Sequence, residues 1–560
     1  MEKKTVNRRT FIKGLGIGSA AVGAGFAPLG CRVPSQETTG AEVKDDAPVL
    51  QMGDNIAVAN TDCGKVKGFV MRGVYTFLGI PYGADTSGEN RFMPPKKHEA
   101  WEGIRPAVFY GNSAPQNIYD RSATSYGAFV DHWNYDEVSE NCLTLNIWTN
   151  GLANGKRPVI VWLHGGGFTS GNGIEQDGYH GENLARHGDV VFCSINHRLG
   201  AFGFSDLSAA GDKFKDSGNV GLLDMVAALE WIHANIANFG GDPGNVTIIG
   251  QSGGGGKVCV LAACPKAKGL VHKGVALSGS AVSAVDKDYA KKLGEYILKE
   301  AKLTPASIGK LQQMPWQEYL EIANNAARKL REEQAGSVTG RRGFAPVADG
   351  VYLPEGTFFE APLPDSPDIP MIFCTTFHEQ SPSRTDAAVE QITLPEVVER
   401  LTPRFADKAS AIVDAYARNF PGAKPVEILA LVNSNRQGVV RAANTKSKQS
   451  SPLWMAWFGW CPPLFDGRMR AFHCLDISFW FLNTDLMVTH SGGGARPRLL
   501  SRQMADALVA FARTGDPNGS KLPQWPRYTV ENGETMILND TCEVKNDPDK
   551  TARETIPMNN

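Results

Sequence analysis

The sequence predicts an α/β fold, a mostly parallel central sheet flanked by helices, on three observations. Short apolar runs of the kind buried on both faces recur along the chain. Longer stretches of helical periodicity separate them. Gly, Asn and Asp bound the runs on either side, as expected of strands joined by crossover helices.

In chain order, the strand-like runs are Pro158–Leu163, Val190–Ile195, Val246–Ile249, Val275–Leu277 and Ile369–Cys374. Between them, Leu222–Ala237 carries apolar residues at helical spacing, broken only by His233. Lys287–Gln334 and Ala387–Lys446 are helical and charged, and are expected as helical insertions on the sheet. The last strong helix is Leu499–Arg513, stopped by Thr514-Gly515-Asp516-Pro517. No repeat or heptad pattern occurs, and no second hydrophobic run is expected to cross a bilayer.

The 560 residues include 42% hydrophobic and 21% charged, which fits a globular core and excludes a disordered chain. Lys and Arg total 57 against 59 Asp and Glu, a net charge of −2, so no global field recruits nucleic acid. Ten cysteines are too few for a disulfide scaffold of this length. The 60 glycines exceed the roughly 7% usual in proteins, and they cluster.

The N-terminus reads as an address. Asn7-Arg8-Arg9-Thr10-Phe11-Ile12-Lys13 is a twin-arginine pattern, followed by a Gly/Ala-rich run from Gly14 to Pro28 too short for a stable spanning helix. Leu29-Gly30-Cys31 resembles a lipoprotein processing site, with Pro28 where an aliphatic residue is usual. The expected organisation is a signal over 1–31, a flexible tether over 32–55 and one catalytic domain over 56–560. The expected location is the periplasm or cell envelope, with a lipid anchor through Cys31.

Two glycine clusters carry the chemistry. Gly250-Gln251-Ser252-Gly253-Gly254 fits G-x-S-x-G directly after the run Val246–Ile249 and before a helix-like Lys257–Ala263. That is the context in which a sharp strand-to-helix turn raises a serine hydroxyl above a sheet. His164-Gly165-Gly166-Gly167-Phe168 follows another buried run, and its glycines let backbone N–H groups approach a reacting oxygen. A phosphate-cradling loop is the rival for this cluster, but the Lys-Ser/Thr of a P-loop does not follow.

With these motifs the chain resembles the type B carboxylesterases of the cholinesterase-like α/β-hydrolase family. Further matching segments are Phe77–Tyr82 with Arg91-Phe92, Ser139–Asn146, Asn196–Phe204, Gly218–Asp224, Phe239–Pro243 and Phe511–Pro517. The resemblance implies an α/β-hydrolase fold and a Ser-His-acid triad. Ser252 is the nucleophile, and the chain order Ser, acid, His leaves His272, His378, His473 and His490 as bases. The family's histidine element is similar to Ala471–Phe481, which selects His473, and His490, beside Ser491-Gly492-Gly493-Gly494, is expected in a loop. The family acid follows a buried strand and falls on Glu379, beside His378, a loop or rim residue. The implied oxyanion donors are the amides of Gly166, Gly167 and Gly253.

The reaction so implied is ester hydrolysis through an acyl-enzyme, on a small-molecule ester, without metal or organic cofactor. A specialist esterase or amidase and a non-catalytic binding module of the same fold are the rivals; the module is disfavoured because all three triad residues are present. Arg91 with Glu140 and Arg198 with Asp224 are expected as bracing ion pairs. Cys142 lacks its family partner, because Ala114 stands there. Trp454, Trp457, Phe458 and Trp460 are core residues or pocket walls. Gln251 replaces a glutamate common in the family, which argues against cationic esters as substrates. Oligomeric state and the other cysteine pairings are not readable.

Overall fold

The computed structural model describes residues 48–118, 137–153, 155–334 and 340–557. The twin-arginine segment, the Cys31 site and most of the tether lie outside them. Twelve strands form the main sheet. In chain order they are β1 Leu50–Gln51, β2 Phe69–Met71, β3 Val74–Pro81, β4 Thr144–Thr149, β5 Arg157–Leu163, β6 Val191–Ile195, β7 Gly241–Gln251, β8 Lys273–Leu277, β9 Met371–Thr376, β10 Leu453–Phe458, β11 Glu534–Leu538 and β12 Glu543–Asn546. In space they follow the order β1-β2-β3-β4-β6-β5-β7-β8-β9-β10-β11-β12. From β6 across to β11 every pairing is parallel, and antiparallel strands close both edges.

The parallel strands are apolar on both faces because both faces are covered. Alternate residues divide between two core layers: Val159, Val161, Val246 and Ile248 in one, Ile160, Trp162, Ile249 and Val275 in the other. The helices that cover them include α1 (Val220–Asn235), α2 (Gly253–Ala263) and α3 (Ala495–Thr514). Helical insertions occupy much of the chain between Lys287 and Glu333 and between Leu394 and Lys446.

Three expectations need correction. β7 begins at Gly241 rather than Val246, because Gly241 pairs with Arg157 before an irregularity in register. α2 begins at Gly253, immediately after Ser252, rather than at Lys257. Glycine is a poor helix former, but packing decides here: a Cβ on Gly254 would sit 1.9 Å from the Leu163 carbonyl oxygen, and one on Gly255 2.9 Å from that of Leu277. Finally, the stretch Asp212–Phe239 is long and apolar enough by composition to cross a membrane. Most of it is buried, and α1 lies in the core.

The two expected ion pairs form. Arg91 and Glu140, and Arg198 and Asp224, meet at 2.6 Å with all four side chains buried. Arg91 also donates to the Met314 carbonyl at 2.8 Å, and the Arg198 backbone N–H donates to Asp224. Such satisfied pairs are costly to break by removing one partner.

Candidate active site

The C-terminal ends of β5, β7, β9 and β10 place the expected residues at one edge of the sheet. This is where α/β folds put their ligands, because connecting loops diverge there. Ser252 follows β7 with φ 57° and ψ −122°, outside the regions favoured by residues with a side chain. The strain is held from both sides. The Ser252 N–H donates to the Leu277 carbonyl at 2.8 Å, and the Ser252 carbonyl accepts from Gly256 at 3.1 Å. A Cβ on Gly250 would lie 2.4 Å from the Gly254 backbone, so the turn closes only with glycine at both flanks. Strain maintained in this way is a mark of functional turns.

The second glycine cluster lies against this turn. Gly166 and Gly167 adopt φ of 77° and 64°, open to glycine and disfavoured for residues with a Cβ. A Cβ on Gly253 would fall 2.3 Å from the Gly167 nitrogen, so the backbones that carry the expected oxyanion donors are in close approach. The Gly166 carbonyl accepts N–H bonds from Ser170 at 3.0 Å and Thr169 at 3.3 Å, which tightens the loop.

The acid and the base come from the next strands. Glu379 follows β9 with φ 55°, and His473 follows β10 after an excursion. The two loops are joined through the backbone, where the His473 N–H donates to the Glu379 carbonyl at 2.8 Å. Their side chains meet as well, the imidazole Nδ1 bonding Glu379 Oε2. Glu379 Oε1 accepts from Ser278 Oγ at 2.6 Å, Thr375 Oγ1 at 2.5 Å and the Thr376 N–H at 3.0 Å. Burial opposes ionisation of Glu379, but the His473 charge and these donors outweigh it and hold the carboxyl down at about 2. Burial likewise disfavours the His473 imidazolium, while Glu379 and then Asp476 raise its pKa above the ordinary value.

Three surrounding residues were not read as part of the site. Ser278 and Thr375 carried no signal, since serine and threonine after a strand usually finish a turn. Asp476 is buried three residues beyond His473, and burial together with the Glu379 charge pushes its carboxyl up to about 7. Its place in Ala471–Phe481, an acid among apolar residues, was the available signal. Gln251 was expected to bear on substrate charge, but its side chain is buried in the site. Its Nε2 lies 3.3 Å from each imidazole nitrogen of His473, and its Oε1 accepts from the Cys474 thiol at 3.2 Å. Ser252 is brought to the same edge without a hydrogen bond to His473 among the described residues. Such bonds commonly tighten only with substrate in place.

The other three histidines that follow Ser252 have other neighbours. His272 accepts from the Val246 N–H at 3.1 Å, near the far end of the strands. His378 is not a rim residue: it is buried, accepts from the Ala471 N–H at 3.3 Å, and burial with the nearby Arg470 charge lowers it to about 3. His490, expected in a loop, sits buried in a short helix, edge-on to Phe472. Trp454, Trp457, Phe458 and Trp460 are fully buried core residues, and Trp457 packs 4.0 Å from Phe377 between ring centroids. Cys142 is a buried free thiol whose pKa burial raises. Among the described residues no cluster of His, Cys, Asp or Glu suited to a metal ion occurs.

Comparison with known proteins shows the family to which the chain belongs. The model of the carboxylesterase family matches residues 55–555. The chain is 32% identical to a phenmedipham hydrolase of Pseudarthrobacter oxydans, over 89% of this chain and 99% of that protein. It is also 32% identical to a para-nitrobenzyl esterase of Bacillus subtilis, over 89% and 98%. Among solved structures, an esterase from Clostridium hathewayi that can hydrolyze aliphatic aromatic polyesters superposes with a TM-score of 0.78. That pair shares 35% identity over 90% of this chain and 98% of that one. These neighbours have the α/β-hydrolase fold, and the chain is a carboxylic ester hydrolase belonging to the carboxylesterase family.

Proposed function

We propose that this protein hydrolyses neutral, moderately apolar carboxylic esters through a Ser252–His473–Glu379 triad and an acyl-enzyme. The observation that carries the reading is the convergence at one sheet edge of a strained serine, a carboxylate-bound imidazole and a glycine-built loop. His473 Nε2 takes the Ser252 proton as Oγ attacks the ester carbonyl carbon. The carbonyl oxygen becomes an oxyanion and is received by the amides of Gly166, Gly167 and Gly253. Collapse breaks the bond to the alcohol oxygen, which leaves with the proton from His473. Water then attacks the acyl carbon, gives its proton to His473, and the acid leaves as Ser252 Oγ regains that proton. Glu379 keeps Nδ1 protonated and stabilises the imidazolium.

The names of relatives support small-molecule esters and related acyl compounds as a class: one is a phenmedipham hydrolase, another a fumonisin B1 esterase. The twin-arginine pattern at Arg8 and Arg9 supports export in folded form, with Cys31 as a lipid attachment point. The test of the triad is fluorophosphonate labelling mapped to Ser252, with turnover of a p-nitrophenyl ester. Ser252→Ala and His473→Ala should each lose several orders of magnitude in kcat while remaining folded. Near-normal turnover in folded Ser252→Ala would overturn the reading. A panel of neutral, bulky and amide substrates separates a general esterase from a specialist.

A further inference from the structure

The first turn of α2 runs Gly253-Gly254-Gly255-Gly256 and is followed by a lysine, the one charged residue of a helix otherwise made of glycines and apolar residues. Lys257 is fully buried. A cation in such a place is expensive unless its protons find partners. Lys257 Nζ donates to the His164 carbonyl at 2.8 Å and lies 3.5 Å from the Gly165 carbonyl. Those oxygens belong to the peptide units that lead into the oxyanion loop. The Gly165 carbonyl and the Gly166 N–H share one peptide group, so a cation on the oxygen draws electron density away from the N–H and makes it a stronger donor.

Further buried titratable groups lie beside the same loop. Glu175 is buried and accepts from the Tyr179 hydroxyl at 2.8 Å. A Cβ on Gly171 would lie 2.6 Å from His164 Nδ1 and 3.1 Å from Glu175 Oε2, so the carboxylate and the loop histidine converge there. His164 and His197 stack at 5.1 Å, and burial followed by the Lys257 charge lowers both, leaving them neutral. The Arg341 guanidinium lies over Phe168 at 4.7 Å, and the Lys257 ammonium is 5.9 Å from the same ring.

We propose that Lys257 is a positioning residue for ester hydrolysis: through the His164 and Gly165 carbonyls it holds the oxyanion loop and polarises the Gly166 amide, with Glu175 as its counter-charge. The proposal rests on the reading of Gly166 as an oxyanion donor. The groups that set the charge state are Glu175, Arg341, His164 and His197. Burial lowers the Lys257 ammonium to about 7 against Glu175, which favours the charge, and Arg341 disfavours it further. Burial raises Glu175 to about 7, opposed by Tyr179 and Lys257. Protonated Lys257 is thus lost as pH rises through neutrality, and support for the oxyanion declines with it.

The experiment compares wild type, Lys257→Met and Glu175→Gln for kcat, KM and the affinity of a trifluoromethyl ketone that adds to the serine. Lys257→Met should lower kcat about 10- to 100-fold, somewhat less than the ~10²–10³ for loss of a direct donor. Ketone affinity should fall in parallel, with KM changed less than about threefold, because the effect belongs to the tetrahedral state. The alkaline decline of kcat in wild type should vanish in Lys257→Met. In Glu175→Gln it should move to lower pH, since removing the anion makes the ammonium easier to deprotonate. A folded Lys257→Met with unchanged kcat, ketone affinity and pH profile overturns the proposal. So does a variant whose loss of kcat leaves ketone affinity and the alkaline limb untouched, because that marks a packing role. If Lys257→Met does not fold, an unmoved alkaline limb in Glu175→Gln overturns it. Activity that survives Ser252→Ala in wild-type background instead removes the serine reading itself.

Discussion

At the ends of β5 and β7 the proposed groups are backbone amides and one serine, set in place by glycines most of which leave no space for a Cβ. At the ends of β9 and β10 they are side chains, set in place by one another. Gly250, Gly253 and Gly254 leave no room for a Cβ beside the oxyanion loop. Glu379 and His473 are held by hydrogen bonds from Ser278, Thr375, Thr376 and their own two loops. The difference teaches where tolerance lies. The first half should fail to the smallest change of volume, whereas the second should fail to changes of charge and proton position.

The sharpest test is Gly254→Ala. The added methyl would sit 1.9 Å from the Leu163 carbonyl oxygen, and backbone cannot move aside there without opening β5 from α2. Fluorophosphonate labelling and turnover should disappear, with a large fall in melting temperature. A well-folded, labelled Gly254→Ala would show that this half is not built by exclusion of side chains.

Next in size is Glu379→Gln, which keeps volume and removes charge. Loss of the matching carboxylate in a Ser-His-Asp protease costs about 10⁴ in kcat, and a fall of that order is expected here. The pH profile carries the sign. The proposed base must be neutral to take a proton, so kcat should rise with pH through the His473 pKa, which Glu379 raises above its ordinary value. Without that anion the pKa falls and the acid limb moves to lower pH. A profile of kcat against pH for both proteins checks this, and an unmoved limb would uncouple Glu379 from His473.

The same contrast decides what was legible in the sequence. Glycine clusters at the ends of apolar runs announce the elbow and the loop, because the constraint is local and glycine is its signature. The parallel sheet was legible for a similar reason, since burial on both faces leaves unbroken apolar runs. The proposed acid and base carry no such mark: His473 and Glu379 are 94 positions apart, and four histidines follow Ser252. Only the likeness of Ala471–Phe481 to a known family element chose His473. Ser278 and Thr375 were invisible because an ordinary strand end looks the same. His378 beside the acid suggests a loop or rim and His490 beside Ser491-Gly492-Gly493-Gly494 suggests a loop, yet both side chains are buried and His490 is helical. The start of α2 was misplaced because four glycines oppose a helix by propensity, whereas close packing against β5 and β8 requires them.

Asp476→Asn should have a smaller effect, visible mainly in stability. Burial followed by the Glu379 charge raises this carboxyl from the ordinary carboxylate range to about 7. A carboxyl raised on folding costs stability as pH climbs from its unfolded value through its folded one. Asparagine has no charge to bury, so the gain in melting temperature should be greater at about pH 8 than at about pH 5. An equal gain at both would show that the carboxylate is not what strains this position.

The smallest effect, and the one that joins the two halves, is expected from Gln251→Glu. Gln251 belongs to the elbow by sequence but touches the histidine by its side chain, with Nε2 at 3.3 Å from both ring nitrogens. A glutamate there keeps the shape, since the Cys474 thiol can donate to either side chain. It exchanges an amide donor for a carboxylate against the imidazole. A nearby anion favours the imidazolium, so the His473 pKa should rise and the acid limb of kcat/KM should move to higher pH. The same charge should improve kcat/KM for a cationic ester relative to its neutral isostere, by an amount that shrinks with salt. Because the side chain is buried against His473 instead of facing solvent, the shift of the pH limb should be the clearer of the two, with the charge preference changing only severalfold. Measuring both at two ionic strengths separates them. A limb that stays in place in the folded variant would mean the contact with the imidazole does not reach its proton equilibrium. A cationic-to-neutral ratio that stays in place would mean that residue 251 does not set substrate charge preference.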